Sequence, residues 1–318
     1  MQRDIDMERD QERRAAAEEP AAGAHGRDRS ARRVWIGDGP ARRTGGTRLI
    51  PTGARKPALS GGSLPPTLGK ARGAPCWLSL ASRDIRAAEE FYGRVLGWCH
   101  VPLLGSPRRP RSLALQNGRP VGTISETASD LGVYAGWMPY FAVEDVDVTV
   151  ARLHERGATV AVGPLTTGAG RVVVAAGPDD AVFGLREEAP DQHWTVGEGP
   201  VARLELLTRD IFAAALFYGG ALNWADSSCD CCEVEYVDGQ ILVRDGLRTV
   251  AALRDGTPPG FEGRHRWHAC FRVADVDSAA AAAVGWGGRV ITPPQGRGHR
   301  REAVLADREG IPFTVVAS

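Results

Sequence analysis

The sequence has no apolar run near the roughly 20 residues needed to cross a bilayer. Its first residues, MQRDIDMERDQERRAAAEEP, contain no apolar stretch of the kind a secretory signal requires. A cytoplasmic protein with no membrane partner is therefore expected. An excess of charge is missing too: 39 basic residues face 39 acidic ones in a chain of 318. Without a net positive field, nucleic acid is not expected as a main partner. Cysteine is scarce, at 6 residues, and in a reducing compartment these should be free thiols and not a disulfide framework. There is no GxSxG, no P-loop, and no GxGxxG set between a strand and a helix. No organic cofactor is expected.

The sequence does contain a duplication. The stretch RDIRAAEEFYGRVLGW, Arg83 to Trp98, returns as RDIFAAALFYGGALNW at Arg209 to Trp224. Asp84 and Asp210, Phe91 and Phe217, and Trp98 and Trp224 are each 126 residues apart. Later landmarks are 130 apart: Trp137 and Trp267, Phe141 and Phe271, Asp147 and Asp277, Pro164 and Pro294, Phe183 and Phe313. A near-constant offset over so many pairs means a tandem repeat. The expected domains are 74–189 and 200–317, joined by a polar linker at 190–199. Residues 1–72 are rich in Arg, Ala, Gly and Pro and show no period of 2 or 3.6. They are expected to form a disordered N-terminal extension.

Each copy itself repeats a plan. CWLSLAS alternates as a strand does, with Trp77, Ser79 and Ala81 on one face and Leu78 and Leu80 on the other. Asp84 is placed to cap a helix. Ile85, Ala88, Phe91, Tyr92, Val95 and Leu96 line one face of that helix, and Gly97 ends it. Strands follow, and then WMPYFAV and a helix from Asp145 restart the plan. Every half reads strand, helix, then two or three strands. The expected fold class is α+β. Paired βαββ(β) units form a curved, cup-shaped mixed sheet, with the helices outside each cup.

RDIRAAEEFYGRVLGW, PYFAVEDVD and the closing AVLADREGIPFTV resemble the vicinal oxygen chelate superfamily, and within it the tandem two-domain actinobacterial glyoxalase/bleomycin-resistance-like branch. That superfamily also holds glyoxalase I and extradiol dioxygenases. The resemblance covers about residues 74–317 and implies the cup fold. It does not choose among isomerase, dioxygenase, transferase and plain binder. It also implies where a metal would be held: seven residues before each helix-capping Asp, and in the closing strands. Those positions hold Trp77, Met138, Arg203 and His268, then Gly184 and Thr314, with Glu126 near a middle strand. One imidazole does not make a divalent-metal site. No metal ligand is assigned.

The ligand-binding candidates are Trp77, Ser79 and Tyr140 in the first copy, and Arg203, Glu205, Trp267 and His268 in the second. Aromatic walls with a few polar groups suit a small organic molecule. Arg203 and Glu205 share a strand face, so they either pair with each other or meet a ligand. The second cup, with more polar groups, is the expected active one. The leading expectation is a small-molecule binder. The alternative is an enzyme, a lyase, isomerase or hydroxylase-like activity, with His268 as catalytic acid or base assisted by Arg203 or Glu205. A structural protein with a degenerate pocket is a third class. A homodimer is compatible with the sequence. Cys229, Cys231 and Cys232 lack the CxxC spacing or nearby His of a tetrahedral site and are read as structural or loop thiols.

Overall fold

A computed structural model describes residues 72–103, 110–126, 135–167, 170–187, 194–224, 232–256 and 266–318. All but Arg72 of the expected extension at 1–72 lies outside the described residues, as do Cys229 and Cys231. The first half contains β1 (Pro75–Ser82), α1 (Ile85–Leu96), β2 (Cys99–Pro102), β3 (Arg111–Gln116), β4 (Arg119–Glu126), β5 (Gly136–Val143), α2 (Val146–Glu155), β6 (Thr159–Thr167), β7 (Gly170–Ala176) and β8 (Val182–Glu187). The second contains β9 (Val201–Thr208), α3 (Ile211–Leu222), β10 (Glu233–Val237), β11 (Gln240–Asp245), β12 (Arg248–Asp255), β13 (Arg266–Val273), α4 (Val276–Gly285), β14 (Arg289–Gln295), β15 (Glu302–Ala306) and β16 (Pro312–Ala317).

Each half is one eight-stranded mixed sheet. The strand orders are β2-β3-β4-β1-β5-β8-β7-β6 and β10-β11-β12-β9-β13-β16-β15-β14. The repeat seen in the sequence is thus a repeat of topology. Within a half, the two β-α-β units meet where β1 runs antiparallel to β5, and β9 to β13. The helices begin where expected. The Asp84 carboxylate accepts from Ala87 N at 2.9 Å, and Asp210 from Ala213 N at 2.8 Å. Gly97 takes φ 71°, a left-handed conformation that costs glycine little and stops α1.

The helices cover one face of each sheet, and those covered faces share a core. The first helix of each half packs on the second helix of the other, α1 on α4 and α3 on α2. Twin aromatic clusters fill the space between. Trp137 Nε1 donates to the Tyr92 hydroxyl at 3.1 Å, and Trp267 Nε1 to that of Tyr218 at 3.1 Å. Phe271 of the second half lies 4.9 Å from Trp98, centroid to centroid, while Phe141 of the first lies 5.1 Å from Trp267. Burying so many aromatic rings in one place is the main apolar stabilisation of the fold. The opposite face of each sheet is left for a cup.

Candidate functional site

In the second half, alternation along five strands sorts the side chains. Leu204, Leu206, Trp267, Ala269 and Phe313 go to the buried helix side. Arg203, Glu205 and Leu207 of β9, Arg254 of β12, His268 of β13, Glu302 and Val304 of β15 and Thr314 of β16 line a cavity of about 300 Å³ on the other side.

Its polar groups are tied together. Arg203 Nε donates to Glu205 Oε1 at 2.6 Å, and Arg203 Nη2 to Glu302 Oε2 at 2.7 Å. Arg254 Nη1 donates to the same Glu205 Oε1 at 2.9 Å. His268 stands opposite Glu205 in the β9–β13 register, and its Nε2 is 2.7 Å from Thr314 Oγ1. Burial pushes the Glu205 carboxyl up, but Arg203, Arg254 and His268 outweigh it, so it is held below its ordinary pKa. Burial also pushes up the pKa of the Cys270 thiol, which stands opposite Arg203 in the β9–β13 register, and keeps it out of the range of a reactive thiolate.

The first cup is different. Trp77, Ser79 and Tyr140 do come together. Trp77 pairs with Tyr140, and Ser79 with both Met138 and Thr123. Trp77 Nε1 donates to Thr123 Oγ1 at 3.0 Å. This cup, however, is packed with its own side chains. The Tyr140 ring lies against Gly184, where a Cβ would meet its Cδ1 at 2.2 Å. Trp194, from the linker, is buried against Trp77 at 6.0 Å between centroids, and its Nε1 donates to the Val121 carbonyl at 2.7 Å. Burial raises the Tyr140 phenol above its ordinary pKa, so it stays protonated at neutral pH.

Trp267, expected beside the ligand, leaves the site. It points to the helix side, is 2% exposed and is satisfied by Tyr218. Strand period put it opposite His268, and that period decides. Sequence reading missed Arg254, Glu302 and Trp194. The first two were accessible by alternation, from Ala252 to Arg254 and from Glu302 to Val304. Nothing local marks Trp194, because a linker can cross a cup only in three dimensions. Cys232 is buried, consistent with a structural thiol.

The residues present do not suit a divalent ion. A guanidinium, which cannot give up its proton, sits at Arg203, and Thr314 is engaged with His268. Among the described residues no three His, Cys, Asp or Glu side chains are arranged to hold a metal.

Two back-to-back cups built from four β-α-β units define a tandem vicinal-oxygen-chelate-type protein. Comparison with known proteins agrees. Residues 76–194 match the profile of the Glyoxalase/Bleomycin resistance protein/Dioxygenase superfamily, and residues 203–316 match that of a Glyoxalase-like domain. CFP32 of Mycobacterium tuberculosis, which carries a provisional glyoxylase name, is 31% identical over 255 residues, 77% of this chain and 95% of its own. Anthracycline biosynthesis protein DauV of Streptomyces sp. (strain C5) is 29% identical over 262 residues, 77% of this chain and 94% of its own. The chain belongs to the Glyoxalase/Bleomycin resistance protein/Dioxygenase superfamily. Solved structures share the fold. The Mn(II)-bound glyoxalase from Novosphingobium aromaticivorans has a TM-score of 0.52 at 16% identity, covering 78% of this chain and 83% of that one. The 2,3-dioxygenase LapB from Pseudomonas sp. KL28 has a TM-score of 0.52 at 14% identity, covering 79% and 94%.

Proposed function

We propose that the second cup binds a small organic molecule, and that it does so without the metal ion held by some relatives. One observation carries this reading: the cavity of about 300 Å³, lined by Arg203, Glu205, Arg254, His268, Glu302 and Thr314 beside Leu207 and Val304. That volume is at the small end of ligand sites, and a mixed polar and apolar lining is what such sites use. The two sheets then act as two domains, 74–189 and 200–317, of which the first keeps its cup closed with Trp194. The reading includes a cytoplasmic location and no organic cofactor, and it is compatible with a homodimer, which sedimentation velocity tests.

The test is a thermal-shift screen of organic acids and planar polycyclic compounds. Anthracycline-type molecules belong in it because a relative is named for their biosynthesis. A ligand specific to the folded state raises Tm. The expected result is a compound that stabilises the wild type but not Leu207→Trp, in which a large ring fills the cavity. No stabilising compound, or equal stabilisation of both proteins, overturns the reading.

A second reading makes the cup catalytic, with His268 as general acid or base. Its support is geometric: His268 is buried at the cavity wall, within hydrogen-bond distance of Thr314 and opposite an ionised Glu205. Full turnover by His268→Ala on an identified substrate ends it.

A further inference from the structure

The charges of the second cup are organised around one guanidinium. Arg203 lies between two carboxylates, Nε on Glu205 at 2.6 Å and Nη2 on Glu302 at 2.7 Å. The Glu205 side chain is only 7% exposed, and the imidazole of His268 faces it across the strand pair. Carboxylates and imidazole are donor types a divalent transition-metal ion takes, and here two carboxylates meet a guanidinium while the imidazole stands across the strand pair from one of them. Here the positive centre is covalently attached to β9. Among the described residues nothing hydrogen-bonds to the third nitrogen, Nη1, and Arg203 is a lining residue of the cavity.

We propose that Arg203 is a built-in replacement for a divalent metal ion. It neutralises and joins Glu205 and Glu302, it keeps the cup from taking up metal, and its Nη1 offers a positive hydrogen-bond donor to an oxygen of a bound molecule. Only the last clause rests on the ligand-binding reading above. A lysine ammonium would supply the charge that keeps metal out, but only a planar fork has fixed N–H directions that join two carboxylates and leave a third direction open. Arg254 cannot substitute, since it reaches Glu205 alone.

The test uses purified full-length protein with Mn²⁺ or Ni²⁺ alone, so its outcome is independent of any organic ligand. Arg203→His removes the tethered cation and adds a donor beside Glu205, His268 and Glu302. Its Tm should rise by roughly 5 °C or more at a metal concentration 100 times Kd, with one equivalent bound by calorimetry. The wild type and Arg203→Lys should show no shift, because a cation still occupies the place. If Arg203→His does not fold without metal, refolding with Mn²⁺ or Ni²⁺ should rescue it. The double variant Arg203→Met/Glu205→Gln, which leaves no uncompensated buried carboxylate, should fold and ignore metal. The proposal is overturned if the wild type itself binds an equivalent of metal in the cup. It is also overturned if Arg203→His shows neither a metal shift nor metal rescue.

Discussion

Asp307 shows how one carboxyl ties the two halves. It is buried, and it accepts from the Tyr92 hydroxyl of the other half at 3.1 Å and from Glu309 N and Ile311 N at 2.9 and 2.8 Å. Burial pushes its pKa up to about 6 despite those donors. An unfolded Asp titrates near 4. The folded protein therefore holds this proton more tightly, and the contribution of Asp307 to stability falls as pH rises from about 4 to about 6. Asp307→Asn keeps an acceptor for both backbone donors and carries no charge. The variant should be more stable than the wild type at pH 8, by about 1–3 kcal/mol, and close to it at pH 4. Urea unfolding at the two pH values measures this, and a difference that does not change with pH refutes it. The same scale decides the second cup, where one guanidinium, Arg203, holds Glu205 and Glu302 at once.

Twin helices show what an element owes to its sequence and what to its place. α1 and α3 have the same N-cap residue, matching buried positions and the same length. Removing the cap at Asp210 with Ala should cost about 1 kcal/mol, read from the urea midpoint, because one N–H of the first turn loses its acceptor. At the other end of the repeat, Glu309 also accepts from Ser82 Oγ and from Arg83 N at 2.9 Å, so the start of α1 is held by the second half as well. The outer faces diverge. Arg86 and Glu90 of α1 correspond to Phe212 and Leu216 of α3, which are 59% and 78% exposed. The apolar pattern of α3 taken alone would bury it on all sides.

At the scale of the molecule, the halves are interlocked through α1 with α4, α2 with α3, and the twin aromatic clusters. Neither half can keep Phe271 or Phe141 covered by itself, since each ring packs against tryptophans of the other. The described residues should therefore unfold in one cooperative transition, with equal calorimetric and van't Hoff enthalpies. Two separate transitions, or a second half that folds stably when expressed alone, would contradict the shared core. The cups differ because the segment after β8 brings Trp194 against Trp77, where its indole also donates to the Val121 carbonyl of β4.

The sequence by itself determined the duplication, the strand–helix–strand plan, the capping Asp residues and the face of β9 that Arg203 and Glu205 share. These are periodic or short-range properties, set by 3.6- and 2-residue spacing and by hydrogen bonds within a turn. It also placed Trp267 and His268 on opposite faces, although only the packing of Tyr218 showed which of the two was the core. The tertiary structure decided the rest. That Glu302 joins Arg203, that Arg254 reaches Glu205, and that Trp194 crosses back onto Trp77 are contacts between residues far apart in the chain. Strand order and packing set such contacts, and no local pattern of residues encodes them.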